Sequence, residues 1–243
     1  MEAIIEKIKG KLEIFCQDLK RLYSDDLVSI VLYGSFSKGN FIPKRSDINL
    51  LVVLKKMEFE DLSKAVKIFN RWSKIGRTTP LLFTEEYINR SIDVFPIEFS
   101  DIKENYKILY GKDILKDIRV EHKDLRYVCE KELKENLLRL RQAYIEAGAR
   151  PFILQRIMIN LFSSIMAILR NLLVLVGGIP SHDTEDLLKA LSEKFNFSKE
   201  VASAIYRLKK REIHLSSQEI KNLYRSWLSE IENLALKVDE LFS

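Results

Sequence analysis

The sequence predicts an α+β fold in which a small mixed sheet comes first and an all-helical bundle follows. Two apolar segments rich in branched residues, typical of buried strands, lie in the first quarter of the chain. From residue 122 onward, apolar residues recur at helical spacing. The 243 residues include only 8 glycines and 5 prolines, which favours short loops. We expect a mixed-sheet domain over residues 1–115 and a helical domain over residues 116–243.

The first part of the chain contains alternating helix and strand patterns. Apolar residues at helical spacing predict two long helices, residues 2–22 and 58–74. Branched apolar runs predict two buried strands, residues 28–33 and 47–54. Shorter patterns predict a strand, a helix and a strand in chain order, residues 79–83, 85–91 and 95–99. Pro96 favours an edge position for the last strand, or a position at its start.

The second part contains five predicted helices. They are residues 122–147, 152–176, 183–195, 198–213 and 217–242. The second of them is apolar nearly all round, which is typical of the central helix of a bundle. Asn160, Arg170 and Asn171 interrupt this apolar stretch, so we interpret it as a buried helix and not as a membrane span.

Composition excludes several classes of protein. Apolar residues make up 47% of the chain and charged residues 31%, the balance of a soluble globular protein. Cys16 and Cys129 are far apart and form no CxxC pattern, which argues against a disulfide framework or a zinc site. The charged, amphipathic N-terminus is not typical of a signal peptide, so we expect a cytoplasmic protein. The formal net charge of +5 fits phosphate ligands but does not identify them.

The residues between the first two predicted strands carry the chemistry. Gly34 and Ser35 follow the first strand, and a glycine there lets backbone amides approach a phosphate closely. Eleven residues separate Ser35 from Asp47, which begins the second strand. Side chains alternate along a strand, so Asp47 and Asn49 point to one face. Two oxygen-bearing side chains opposite a phosphate-binding turn make a site suited to Mg²⁺.

This pattern resembles the signature of the DNA polymerase beta-type nucleotidyltransferases. The segments that carry the resemblance are Leu-Tyr-Gly-Ser, ending at Ser35, and Ser-Asp-Ile-Asn-Leu, beginning at Ser46. The flanking helices resemble the bacterial branch, which includes kanamycin-type nucleotidyltransferases and the minimal nucleotidyltransferases of toxin–antitoxin pairs. The resemblance covers residues 1–115, and the helical half is similar only in being helical.

The resemblance implies a two-metal mechanism in which paired acids hold Mg²⁺ on a nucleoside triphosphate. Asp47 matches the first metal acid. Asn49 departs from the family, which has an acid there, although an amide oxygen can also ligate Mg²⁺. A third acid is expected on a later strand, and we choose Glu98, within Ile-Glu-Phe, as a catalytic and metal-binding residue. Asp93, within Ile-Asp-Val, is the alternative.

Further residues are candidates for phosphate binding. Ser37 is either a second hydroxyl donor to phosphate or a polar residue of the turn. Lys38 and Lys44, between the two strands, are either ligands of triphosphate oxygens or solvated lysines, and we choose them as ligands. Arg45 is similar. The resemblance implies transfer of a nucleoside monophosphate from a triphosphate, with ATP the expected donor, to an unidentified small-molecule or protein hydroxyl. Asn49 favours the alternative of a catalytically reduced nucleotide-binding, regulatory or toxin–antitoxin protein. The helical domain is expected to complete the acceptor cleft or to form a homodimer.

Overall fold

The computed structural model describes residues 2–34, 36–37, 47–76, 79–181 and 183–242. The chain divides into two compact units, Met1–Val120 and Glu121–Ser243. The elements of the N-terminal unit, in chain order, are α1 (Glu2–Tyr23), a 3-10 turn (Ser24–Asp26), β1 (Leu27–Tyr33), β2 (Asn49–Leu54), α2 (Phe59–Gly76), β3 (Leu81–Thr84), α3 (Glu85–Ser91), α4 (Pro96–Glu104) and β4 (Tyr106–Gly111). Those of the second unit are α5 (His122–Glu146), α6 (Pro151–Leu175), α7 (Thr184–Phe195), α8 (Lys199–Lys210) and α9 (Ser217–Phe242).

The four strands form a mixed sheet, as predicted, in the order β3-β2-β1-β4. β1 is antiparallel to both of its neighbours, and β2 is parallel to β3. In this register, Tyr33 at the end of β1 is paired with Asn49 on one side and with Tyr106 on the other. The end of β1 and the starts of β2 and β4 therefore lie at the same end of the sheet.

Both faces of the sheet are covered, which explains why β1 and β2 are apolar at nearly every position. On one face, Ile30, Leu32 and Val52 pack in a core with α1 and α2. On the other face, Val31 and Leu51 pack in a second core with α3, α4 and the segment before residue 120. Since neither face of the two central strands is left to solvent, both strands consist of uncharged residues.

One sequence prediction for this unit is wrong, and one strand was not predicted. Residues 95–99 are not a strand, because Pro96 begins α4 and buried Ile97, Phe99 and Ile102 form its packed side. Proline suits the first turn of a helix, where its missing N–H costs no hydrogen bond. The fourth strand is instead β4, which the sequence analysis did not assign.

The helical unit is organised around α6, whose inward residues, including Leu154, Leu169 and Leu172, are fully buried. Five helices were predicted here, and the structure shows them with boundary shifts of up to three residues. Among the described helices, α6 is the one long and apolar enough to cross a membrane. Half of its most apolar 18-residue stretch is buried within the protein. That burial agrees with its interpretation as a core helix.

Candidate functional site

The bend after β1 requires a glycine for two independent reasons. Gly34 has φ +79°, a left-handed conformation that side chains with a Cβ rarely adopt. A Cβ at this position would also lie 3.0 Å from Nδ2 of Asn49. The bend and the start of β2 therefore lie next to each other. The Asn49 side chain occupies the space beside the bend that a larger residue at position 34 would need.

A hydroxyl group fixes the bend to a third segment of the chain. Oγ of Ser37 lies 2.7 Å from the carbonyl oxygen of Gly34 and 2.8 Å from that of Asn105, which directly precedes β4. A hydroxyl has one proton to donate, and here it is directed at backbone carbonyls. In this conformation Ser37 positions the bend, and its predicted role as a phosphate donor would require its proton to turn away. The sequence analysis did not identify Asn105, because it accepts this hydrogen bond with its backbone carbonyl. Every residue has such a carbonyl, so the sequence gives no signal for this role.

Asp47 and Asn49 lie on one side of the chain as it enters β2. Asp47 is exposed, Ile48 is 1% exposed and Asn49 is half-buried, so the side chains alternate as in a strand. Asn49 shares its face of β2 with Leu51. The two polar side chains supply one carboxylate and one amide, and the amide lies beside the Gly34 bend. This donor set fits Mg²⁺, which takes one or two carboxylates and completes its shell with phosphate oxygens and water.

The structure does not place the candidate third acids on a strand. Glu98 is exposed in the first turn of α4, and Asp93 is exposed in the turn after α3. The four strands, all within the described residues, contain no aspartate or glutamate. Among the described side chains, no three His, Cys, Asp or Glu residues are grouped to hold a metal ion. The strand predicted over residues 95–99, on which the choice of Glu98 rested, is a helix in the structure. The catalytic role of Glu98 stays a prediction that has lost this support.

Three predicted phosphate-binding residues, Ser35, Lys38 and Lys44, lie outside the described residues. Arg45 lies outside them as well. Their roles stay predictions. The site as described consists of the Gly34 bend, the Ser37 hydroxyl and the Asp47–Asn49 pair.

Two tyrosines flank the bend and stay neutral. Burial raises the pKa of Tyr33, which directly precedes Gly34. Burial also raises the pKa of Tyr106, and the hydroxyl of Tyr106 donates to the carboxylate of Asp113 at 3.0 Å, which raises that pKa further. Neither phenol adds negative charge near Asp47 at neutral pH.

Comparisons with known proteins agree with this geometry. Residues 12–147, more than half of the chain, match the family model for the nucleotidyltransferase domain. The chain is similar to two Methanocaldococcus jannaschii proteins named as candidate protein adenylyltransferases. MJ1305 is 33% identical over 113 aligned residues, which cover 42% of this chain and 71% of the relative. MJ0141 is 32% identical over 71 residues, which cover 29% and 67%.

A solved structure shares the fold of nearly the whole chain. Spectinomycin adenyltransferase AAD(9) from Enterococcus faecialis, solved with ATP and spectinomycin, is similar with a TM-score of 0.56. The match covers 93% of this chain and 99% of that one at 14% sequence identity. It includes both the sheet-containing unit and the helices that follow.

Proposed function

The chain belongs to the nucleotidyltransferase domain family, whose reaction moves a nucleoside monophosphate from a triphosphate to an acceptor, and we propose that here the donor is ATP and the acceptor a protein hydroxyl group. The observation that carries the proposal is the contact between the Gly34 bend and Asn49, two residues beyond Asp47. Within a chain whose residues 12–147 match the family, this contact joins the phosphate-binding turn to the strand that bears the metal ligands.

In this reaction one bond to the α-phosphorus forms and one breaks. An acceptor oxygen attacks the α-phosphorus of ATP, the bond from that phosphorus to the bridging oxygen of the β-phosphate breaks, and pyrophosphate leaves. The acceptor hydroxyl loses its proton. Gly34 lets backbone amides come close to the phosphates, and Ser37 holds the bend in place for them. Asp47 and Asn49 are the residues that would hold Mg²⁺, which when bound neutralises the charge of the triphosphate.

The choice of donor and acceptor is supported by the relatives. Both M. jannaschii proteins are named for adenylyl transfer to protein, and the sequence likeness to them is stronger than the likeness to AAD(9). The fold shared with AAD(9), which was solved with ATP, also supports an adenine nucleotide as the donor. A protein side chain brings its own binding surface, so the acceptor need not be enclosed by a small pocket.

A second candidate function is ATP binding with little transfer, and Asn49 favours it. The family signature has an acid where this chain has an amide, so one negative charge is missing beside Asp47. At a partly exposed site, one charge at about 4 Å contributes up to about 4 kcal/mol to ion binding. A loss of that size would weaken a second metal ion much more than it would weaken the nucleotide.

The substitution Asn49→Asp separates the two candidates. It restores the missing charge with almost no change in volume, so we expect Mg²⁺ to bind the ATP complex about tenfold more tightly or better. Calorimetry with ATP, with and without Mg²⁺, measures this, and pyrophosphate release measures turnover. Asn70→Asp, which adds the same charge on the exposed side of α2, is the matched control.

Each outcome of these measurements supports one of the two candidate functions or contradicts the placement of residue 49. Pyrophosphate release by the unchanged protein, with AMP found on an acceptor protein, supports the proposal. Tight ATP binding without release, and release only in Asn49→Asp, supports the second candidate. No change in Mg²⁺ affinity in Asn49→Asp would contradict the placement of residue 49 at the metal site.

A further inference from the structure

β4 is an end strand of the sheet and has an open edge. In the described part of the chain, β4 pairs with β1 alone, and each of its residues is half-buried or exposed. An edge strand of this length presents backbone N–H and C=O groups to which another extended chain can bind. The opposite end strand, β3, has four residues and runs directly into α3. β4, with six residues, offers the longer template.

A cavity of about 440 Å³ lies beside β4, between that strand and α1. Its apolar walls come from several elements and include Leu12 of α1, Leu32 of β1, Leu109 of β4 and Phe36 of the segment after the bend. Side chains of a strand added to β4 would alternate between the two faces of the sheet. Every second one would therefore lie on the α1 side, where this cavity provides an apolar surface.

The same cavity carries an excess of positive charge. Lys9, Lys20 and Lys107 line it, against one acidic side chain, Glu13. Lys20 is exposed, and its Nζ lies 4.1 Å from the centre of the Tyr110 ring, which places this ammonium group over β4. Lys107 is itself a residue of β4. The charge complementary to this edge is negative.

We propose that β4 and this cavity bind an acidic, extended segment of a partner protein, which adds to the sheet as a fifth strand. Backbone hydrogen bonds to β4 supply the register, apolar side chains enter the cavity beside Leu32 and Leu109, and carboxylates meet Lys20 and Lys107. Lysines on an edge strand disfavour pairing with neutral or basic strands. They favour an acidic one, so the same residues give the edge its selectivity. This surface lies on the α1 face of the sheet and adjoins the candidate site at Ser37, which also lines the cavity, whereas Asn49 faces the other side.

The test uses binding alone and needs no ATP. The probe is a fluorescein-labelled synthetic peptide of about eight residues, enough to pair with one strand, that alternates glutamate and valine. A second peptide alternates lysine and valine. We expect the anisotropy titration to show binding of the acidic peptide and about tenfold or weaker binding of the basic one. Added salt should weaken the acidic complex.

Substitutions assign the binding to this surface. Lys20→Glu and Lys107→Glu should each weaken the acidic peptide about tenfold, since each replaces an attraction with a repulsion. Lys67→Glu, on the exposed side of α2 and outside the cavity, makes the same charge change and should have no effect. Thermal unfolding of each variant shows whether it is folded. Methylation of the peptide tests the same binding without any substitution in the protein.

N-methylation distinguishes strand addition from simple charge attraction. Two versions of the acidic peptide carry N-methyl groups on alternate residues, one version on the odd positions and one on the even. Only one of these sets faces β4, so one version should lose binding and the other keep it. Equal binding of both versions, equal binding of the basic peptide, or absence of binding by the acidic peptide would overturn the proposal.

Discussion

Two polar side chains, one in each unit of the chain, form hydrogen bonds of different reach. In the helical unit, Nδ2 of Asn171, which is 1% exposed, donates to the carbonyl of Ala167 one turn earlier in the same helix. In the N-terminal unit, the half-buried Ser37 hydroxyl lies between the carbonyls of Gly34 and Asn105, which come from different parts of the chain. The Asn171 bond stabilises one helix. The Ser37 bonds hold two distant segments together, and one of these segments is the Gly34 bend of the candidate site.

The largest expected effect comes from a comparison of two exposed aspartates, one in each unit. Asp47→Ala should lower the rate of transfer about 10²–10³-fold, because it removes a carboxylate that would hold Mg²⁺ on the triphosphate. Asp183 accepts hydrogen bonds from the backbone N–H groups of Glu185 and Asp186 at the start of α7. Asp183→Ala should cost about 1 kcal/mol of stability and leave transfer unchanged. Denaturant unfolding and pyrophosphate release measure the pair, and a loss of activity in Asp183→Ala would remove the contrast.

A smaller effect comes from two glycines with the same backbone conformation. Gly34 has φ +79° and Gly177 has φ +74°, but a Cβ would meet Asn49 at Gly34 and no atom within 4 Å at Gly177. An alanine at either position carries about 1–2 kcal/mol of backbone strain. Only Gly34→Ala should also weaken ATP binding, because it displaces the Asn49 amide.

Calorimetry with ATP and thermal unfolding on both glycine variants separate strain from contact. Gly10→Ala, in the open middle of α1, serves as a control and should be stabilising by about 0.5–1 kcal/mol. If Gly34→Ala bound ATP as tightly as Gly177→Ala does, the Asn49 contact would have no part in the site.

The smallest expected effect concerns a feature that the two units share. The Tyr23 hydroxyl donates to the Asp61 carbonyl at 2.8 Å, and the Tyr224 hydroxyl donates to the Leu140 carbonyl at 2.7 Å. Each bond joins two helices of one unit. Tyr23→Phe and Tyr224→Phe should each cost about 1 kcal/mol, the usual net value of a hydrogen bond, and neither should change ATP binding.

These two phenols also set a pH dependence. Burial raises the pKa of each to about 12 from 10.0, and nearby Asp61 contributes at Tyr23. The unfolded chain loses these protons first, so the stability they contribute is complete below pH 10 and falls as the pH rises from 10 towards 12. Unfolding measured across that range should fall less steeply in each Phe variant. An identical slope in the unchanged protein and both variants would show that these phenols do not cause the loss.

Most of the fold followed from sequence periodicity, and the failures have physical causes. α6 and β2 were predictable because each is an almost continuous apolar run, helix-length in α6 and short and rich in branched residues in β2. Residues 95–99 were misassigned because Ile97-Glu98-Phe99 is too short to distinguish alternation from a helix turn, although Ile102, three residues beyond Phe99, continues the helical spacing. The bend at Gly34 and the strand after Asp47 were predictable for a similar reason, since both are set by local sequence. Asn105 was out of reach because its carbonyl acts through the pairing of β4.

The most direct test of the account is to follow the two ends of the triphosphate separately. The unchanged protein and Asp47→Ala are incubated with Mg²⁺, soluble acceptor proteins and ATP radiolabelled on either the α- or the γ-phosphate, and the label bound to protein is counted. The account predicts stable label from the α-phosphate, none from the γ-phosphate, and loss of the α-label in Asp47→Ala. Label from the γ-phosphate, or α-label undiminished in Asp47→Ala, would contradict it.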